Sequence, residues 1–260
     1  IPRRQRQMCI RDSLMSVETL VFDAKDELVS TAARRFVDLV TAAQRDRGVA
    51  SVVLTGGSNG IAILANLAAD SGSIDWSRVD IYWGDDRFVP ADDSERNYGQ
   101  AVGALLNSVP VDPDRVHPMA PSDGPLGDDI DAAAADYAAV LAANSADGVA
   151  PNFDLHLLGM GGEGHINSLF PHTAATAETV KSVVAVEDSP KPPPRRITLT
   201  LPVVNRSRAV WFLVAGADKA EAVAAAHAGA DPADWPCAGA HGTEETIWFL
   251  DDGAASKLPG

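Results

Sequence analysis

Short apolar runs and amphipathic stretches take turns along this chain. Residues 18–22 alternate apolar and polar positions, as a half-buried strand does. Between residues 26 and 47, Leu28, Ala32, Phe36, Leu39, Val40 and Ala43 recur at helical spacing, with Arg34, Arg35 and Asp38 on the other side and Gly48 as the stop. Residues 51–54 are a β-branched strand that runs into Thr55-Gly56-Gly57-Ser58-Asn59-Gly60 and an apolar helix over 61–69. Residues 79–83 read as the next strand, broken by Gly84-Asp85-Asp86-Arg87. Residues 92–98 lead into a further helix, for which Ser94 offers an N-cap, leaving Asn97 free to reach a ligand. An alanine-rich helix over 128–143 precedes the apolar run 153–158, which has the length and composition of a buried strand. Further strands are expected at 180–186, 197–201 and 209–214, then a helix from Gly216-Ala217-Asp218-Lys219 through residue 227, and a closing strand at 248–251. Strands alternating with helices predict an α/β fold: one domain with a mostly parallel, doubly wound sheet and helices on both faces.

Composition narrows the partners. With 46% hydrophobic and 22% charged residues in 260, the chain can fill one sizeable core. No apolar run approaches the roughly 20 residues that span a bilayer. A formal charge of −15 argues against nucleic acid and anionic membranes as partners, so an anionic small substrate has to be met by a local basic cluster. Cys9 and Cys237 form neither a disulfide framework nor a zinc-ligand pattern, and fit reduced thiols in a cytoplasm. In residues 1–14, Arg3, Arg4, Arg6 and Arg11 face Asp12 alone, and no secretory apolar region follows. That segment reads as a disordered or non-native extension, with the domain over 15–260 and Met15 a plausible start.

Chemistry concentrates where strands end in glycine. The run 153–158 stops at Gly159, Gly161, Gly162 and Gly164, and Glu163 and His165 ride on that turn. Open α/β sheets bind ligands outside the carboxyl ends of their strands, and a carboxylate beside a histidine can do base catalysis. A lone histidine there more often caps or fills a turn. The Gly56-Gly57-Ser58 turn, between strand and helix, either presents unpaired amides to a phosphate or is an ordinary turn. Gly56 to Gly60 also matches the G-x-S-x-G nucleophile elbow, and the order Ser58, Asp85, His165 suits a triad, although few strands precede it and no upstream oxyanion segment is visible. Residues 159–164 satisfy G-x-G-x-x-G, but Pro171 follows too closely for the long helix that a dinucleotide site requires. Asp85 and Arg87 mark either a surface turn or a site.

Taken together, GGS at 56–58, WGDDR at 83–87, the segment 94–98, FDLHLLGMGGEGHINSLFP at 153–171, KPPPRRITLTLP at 191–202 and AGADKAEAV at 215–223 resemble the 6-phosphogluconolactonases over about residues 17–253. The resemblance implies a sugar-phosphate isomerase/deaminase-like fold and hydrolysis of 6-phosphoglucono-1,5-lactone to 6-phosphogluconate. It implies His165 as the base that activates water, Glu163 or Asp85 as its orienting carboxylate, and Arg87 or turn amides at the developing oxyanion. The phosphate would rest on Gly56, Gly57 and Ser58, with Asn97 within reach and Lys219, Arg196 and Arg195 supplying charge. No metal and no cofactor is implied; the partner is a phosphosugar lactone, and the protein a cytoplasmic monomer or small homo-oligomer. The chain departs from the family pattern at Gly60, where a proline is usual, at Asn167, where alanine is usual, at Glu163 in place of the shorter acid, and in WGDDR for WGDER. Glucosamine-6-phosphate deaminases share the turn but carry a glutamate where this chain has Phe170, which disfavours that activity. A sugar-phosphate-sensing module of a regulator is a further, non-catalytic alternative, which the acidic charge disfavours.

Overall fold

The structure, a computed structural model, describes residues 8–12 and 15–259. In chain order its elements are β1 (Met8–Asp12), β2 (Met15–Phe22), α1 (Lys25–Arg47), β3 (Ala50–Leu54), α2 (Gly57–Ala69), β4 (Val79–Trp83), β5 (Asp85–Arg87) and α3 (Asn97–Ala104). There follow α4 (Ile130–Ala143), β6 (Leu155–Leu158), β7 (Val183–Val186), β8 (Arg196–Leu199), α5 (Leu201–Val204), β9 (Ala209–Val214), α6 (Ala220–His227) and β10 (Glu245–Asp251). Of the segment 1–14, residues 8–12 pair antiparallel with β2, and the others lie outside the described residues.

The main sheet has the order β1-β2-β10-β9-β6-β3-β4, and every pair beyond β1 and β2 is parallel. Strand β9 shows why it is buried on both faces. Its Ala209, Trp211 and Leu213 join one core with α1, α2 and α3, while Val210, Phe212 and Val214 join another with α6. The period of two delivers alternate side chains to opposite faces, and each fully buried large side chain contributes about 1.5–3 kcal/mol relative to exposure. Gly48 ends α1 at φ +83°, where its N–H donates to Gln44 O at 2.8 Å.

The order of the strands places the site. From β3 the chain moves outward to β4, then returns to β6 on the other side of β3 and continues toward β9 and β10. The crevice between β3 and β6 is thus the topological switch point of the sheet, where ligands of open α/β folds bind.

Two segments expected as further strands, at 180–186 and 197–201, form no part of this sheet. As β7 and β8 they make a separate antiparallel sheet with β5, in the order β5-β8-β7. It packs on the main sheet through one core that holds Val53, Tyr82, Val183, Ile197 and Leu199 together with α4 residues. The break after β4 is therefore a short strand: Leu199 N–H donates to Gly84 O at 2.8 Å, and Phe88 N–H to Arg195 O at 2.9 Å. Three polar residues in a row, Asp85, Asp86 and Arg87, carry no apolar alternation that would announce a strand.

Candidate active site

Four turns meet at the carboxyl ends of β3, β4, β6 and β9. The turns after β3 and β6 are tied by Gly159 N–H donating to Thr55 Oγ1 at 3.2 Å. A Cβ on Gly162 would stand 2.9 Å from Asp218 O, so the β6 turn also lies against the turn that precedes α6. At Gly161 a Cβ would fall 2.0 Å from His165 Nδ1 and 2.7 Å from Glu163 Oε2; only glycine leaves room for this pair to curl back over the turn.

The pair is formed. His165 Nδ1 lies 3.1 Å from Glu163 Oε1. Lys191, from the loop before β8, holds the same carboxylate, its Nζ 2.9 Å from Oε1 and 3.0 Å from Oε2. Burial works to raise the Glu163 carboxyl, but the Lys191 hydrogen bond and the neighbouring positive charge outweigh it and hold the group at about 2. Burial, with the Lys191 charge adding to it, pushes the His165 imidazole down to about 4 against the pull of Glu163 and Asp85. At neutral pH the ring is uncharged. An ionised carboxylate only accepts, so Nδ1 carries the proton and Nε2 the lone pair. Phe170 stacks on the ring, centroids 4.4 Å apart.

Asp85, the other expected orienting carboxylate, does not take that role. It accepts from Ser168 Oγ at 2.7 Å and Asn97 Nδ2 at 3.2 Å, and among the described residues no hydrogen bond joins it to His165. Neither does one join Ser58 to His165, so the triad Ser58, Asp85, His165 is not assembled. The positive φ of that turn falls on Gly57 and not on Ser58. Asp86 is structural: its buried carboxylate accepts from the N–H groups of Arg87 (2.8 Å), Asn97 (2.6 Å) and Tyr98 (3.3 Å) and pairs with buried Arg96 at 3.2 Å. It therefore caps α3 from β5, where Ser94 had been expected to do so.

Basic groups lie on the elements around this turn. Arg87 and Arg196 face each other directly across β5 and β8. Like charges in that register are unfavourable, and the Asp85 carboxylate offsets part of the cost, its Oδ2 3.9 Å from Arg196 Nη1. Arg196 is buried; its guanidinium donates to the carbonyls of Pro193 (3.0 Å) and Lys191 (2.9 Å), and its Cζ lies 5.9 Å from the Phe170 ring centroid. It thus pins the loop that aims Lys191 at Glu163. Lys219, just before α6, is bonded to Asp218 at 2.8 Å. Arg195, expected beside Arg196, is committed elsewhere, to Asp128 at 2.5 Å and Glu187 at 3.0 Å. Successive residues of a strand point to opposite faces, which separates the two arginines. Helix α2 begins at Gly57 with no side-chain cap on Gly56 and no acid in its first turn, so its positive end is not neutralised. Asn97, expected to be free, is buried and fully bonded within the protein.

Sequence reasoning missed Lys191, Ser168 and the stacking of Phe170 on the base. The run Lys191-Pro192-Pro193-Pro194 was a signal of a stiff loop with a fixed charge at its head, but nothing local says which carboxylate it meets. Two cavities, of about 580 and 400 Å³, lie at the amino ends of the strands and share Arg47, Asp154 and Arg208; neither is lined by a histidine. Among the described residues no helix is long and apolar enough to cross a membrane.

The model of the glucosamine-6-phosphate isomerases/6-phosphogluconolactonase family matches residues 23–248. The 6-phosphogluconolactonase of Mycobacterium tuberculosis is 58% identical over 246 residues, covering 94% of this chain and 100% of that protein. That of Streptomyces coelicolor is 51% identical, covering 93% of this chain and 95% of that protein. Among solved structures, the 6-phosphogluconolactonase of Trypanosoma brucei superposes with a TM-score of 0.78 at 28% identity, covering 93% of this chain and 98% of that one. A fold, a switch-point cleft and a matched span of this extent agree: the chain belongs to the glucosamine-6-phosphate isomerase/6-phosphogluconolactonase family.

Proposed function

We propose that this protein hydrolyses 6-phosphoglucono-1,5-lactone to 6-phosphogluconate, with His165 as general base. The observation that carries the proposal is the Nδ1 contact of His165 with Glu163 at 3.1 Å, which leaves Nε2 as the basic nitrogen at the carboxyl end of the sheet, where Arg87 and Arg196 pair across β5 and β8 and the turn bearing Lys219 lies against Gly162. The relatives' activity on a phosphosugar lactone fits this pairing of a base with cations.

Water is the nucleophile. Nε2 removes its proton as the oxygen bonds to the lactone carbonyl carbon, and Glu163 stabilises the imidazolium that forms. The carbonyl electrons move onto oxygen, where Arg87 or the amides of the β6 turn meet the negative charge. Collapse reforms the carbonyl, breaks the bond to the ring oxygen and returns the proton from His165 to that oxygen. The new carboxylic acid then ionises in water. The phosphate rests on the Gly57 and Ser58 amides at the start of α2, with charge from Lys219 and Arg196. Phe170 stacks on the base where the deaminases carry glutamate, which speaks for hydrolysis over deamination. The buried free thiol of Cys237 and a phosphorylated substrate suit a cytoplasmic enzyme.

The test is a coupled assay with lactone generated in place by glucose-6-phosphate dehydrogenase and product read by 6-phosphogluconate dehydrogenase. Purified protein at catalytic concentration should raise the rate of product formation well above spontaneous ring opening. A rate equal to the spontaneous one contradicts the proposal.

A further inference from the structure

Among the described residues Arg87 has no ion pair, although Arg196 faces it across β5 and β8. The nearest acids are already used. Asp86 is spent on capping α3 and on Arg96, and Asp85 is bonded to Ser168 and Asn97 and pairs with Arg196 at 3.9 Å. The partner of the Arg87 guanidinium is instead the neutral side chain of Asn97, whose Oδ1 accepts from Nη1, while the buried Nε of Arg87 has no partner.

Asn97 is itself locked on every side. Its Nδ2 donates to Asp85 O at 2.9 Å and Asp85 Oδ1 at 3.2 Å, and its own N–H is bonded to Asp86. Those two bonds decide which end of the amide is oxygen, and direct that oxygen at Arg87. The amide also lies where a Cβ on Gly56 would stand, 2.0 Å from that position, so it is wedged between the turn that opens α2 and the β5 strand. Its side chain is buried and leaves no group for a ligand.

We propose that Asn97 is a positioning residue that fixes the Arg87 guanidinium toward the reacting end of the substrate without neutralising its charge. A carboxylate in its place would cancel the field that the oxyanion needs and would set an acceptor against Asp85 O and Oδ1; a neutral amide satisfies Asp85, orients the cation and leaves its charge available. The kinetic part of this inference rests on the lactonase reading, and the structural part does not.

Two readouts test it together. The first is the Arg87 Nε–H resonance, assigned by its loss in Arg87→Met. A sharp signal is expected in the unaltered protein, and a broadened or shifted one in Asn97→Ala. The second is a cycle of Asn97→Ala, Arg87→Met and the double variant in steady-state turnover. Asn97→Ala should lower kcat at least 10-fold with KM changed less than 3-fold, and the double variant should be no slower than Arg87→Met alone, because the asparagine acts only through the arginine. A merely structural asparagine would give losses that multiply. If Asn97→Ala does not fold, the near-isosteric Asn97→Leu, which has no acceptor for Arg87, takes its place and should likewise disturb the Arg87 signal and lower kcat at least 10-fold. An unchanged Arg87 signal, multiplying losses, or either asparagine variant within twofold of the unaltered enzyme overturns the inference. If the unaltered protein shows no turnover, the lactonase reading fails, and the Arg87 signal alone decides the role of Asn97.

Discussion

Glu163 Oε1 lies 3.1 Å from His165 Nδ1, and this contact sets the state of the imidazole. The carboxylate is ionised, since Lys191 holds both of its oxygens. The histidine is half-buried and neutral. A base with these surroundings is ready at neutral pH and stays ready well into the acid range.

That readiness fixes the pH dependence. The acid limb of kcat/KM reports the base of the free enzyme, here near 4, so activity should hold from neutrality downward and fall only as pH drops through about 4. Lys191→Met removes a nearby positive charge and should move the limb up; Glu163→Gln removes a negative one and should move it down, while lowering kcat because the tautomer is no longer held. A pH series on the three proteins checks this. Shifts in the same direction would contradict the arrangement.

The phosphate anchor should act at a distance from the chemistry. Glucono-1,5-lactone has the same ester without the phosphate, and should be poorer by on the order of 10²-fold or more if two charge-assisted contacts of about 1.5–3 kcal/mol each are lost. Lys219→Ala should reduce kcat/KM for the phosphorylated lactone and barely touch the slow reaction of the other. Equal losses on both substrates would assign Lys219 to the chemistry or the fold.

How much of this was legible in the sequence follows from how local each feature is. Glu163 and His165 sit two apart on one glycine turn, so their meeting needed no tertiary knowledge. Helix α1 was readable from its apolar stripe and the Gly48 stop. Lys191 lies 28 residues from Glu163, and the Arg196 bonds to the 191–193 carbonyls, with those of Ser189 to Lys191, bring it there. The adjacent pair Arg195 and Arg196 looks like one basic patch in sequence, yet strand alternation sends one outward to Asp128 and the other into the site. Asn97 looked like a free polar residue at a helix start because its partners, Asp85 and Asp86, come from β5, a strand too short and polar to announce itself.

Ser58 should not be a nucleophile. Ser58→Ala is expected to keep turnover within about 10-fold of the unaltered enzyme, and fluorophosphonate should leave the protein unlabelled by mass spectrometry. Covalent modification at Ser58 would restore the serine-hydrolase alternative.

His156, fully buried behind the site, should make the fold acid-sensitive. Burial holds its imidazole at about 3, below the ordinary value near 6.5, so between those pH values the unfolded chain binds a proton that the native state refuses. Its contribution is therefore present above about 6.5 and is lost as pH falls toward 3. His156→Leu should flatten the decline of unfolding free energy over that window by about one proton, measured by urea denaturation at stepped pH. An unchanged slope would mean that His156 is protonated in the native state.

The central claim is that His165 takes the proton from water. The most direct measurement is kcat of His165→Ala on freshly generated 6-phosphogluconolactone, with a thermal melt to show that the fold is retained. The expected result is a loss of about 10²–10⁴-fold, the usual contribution of a positioned general base, at unchanged melting behaviour. A folded His165→Ala protein that turns over within a few-fold of the unaltered enzyme would contradict it.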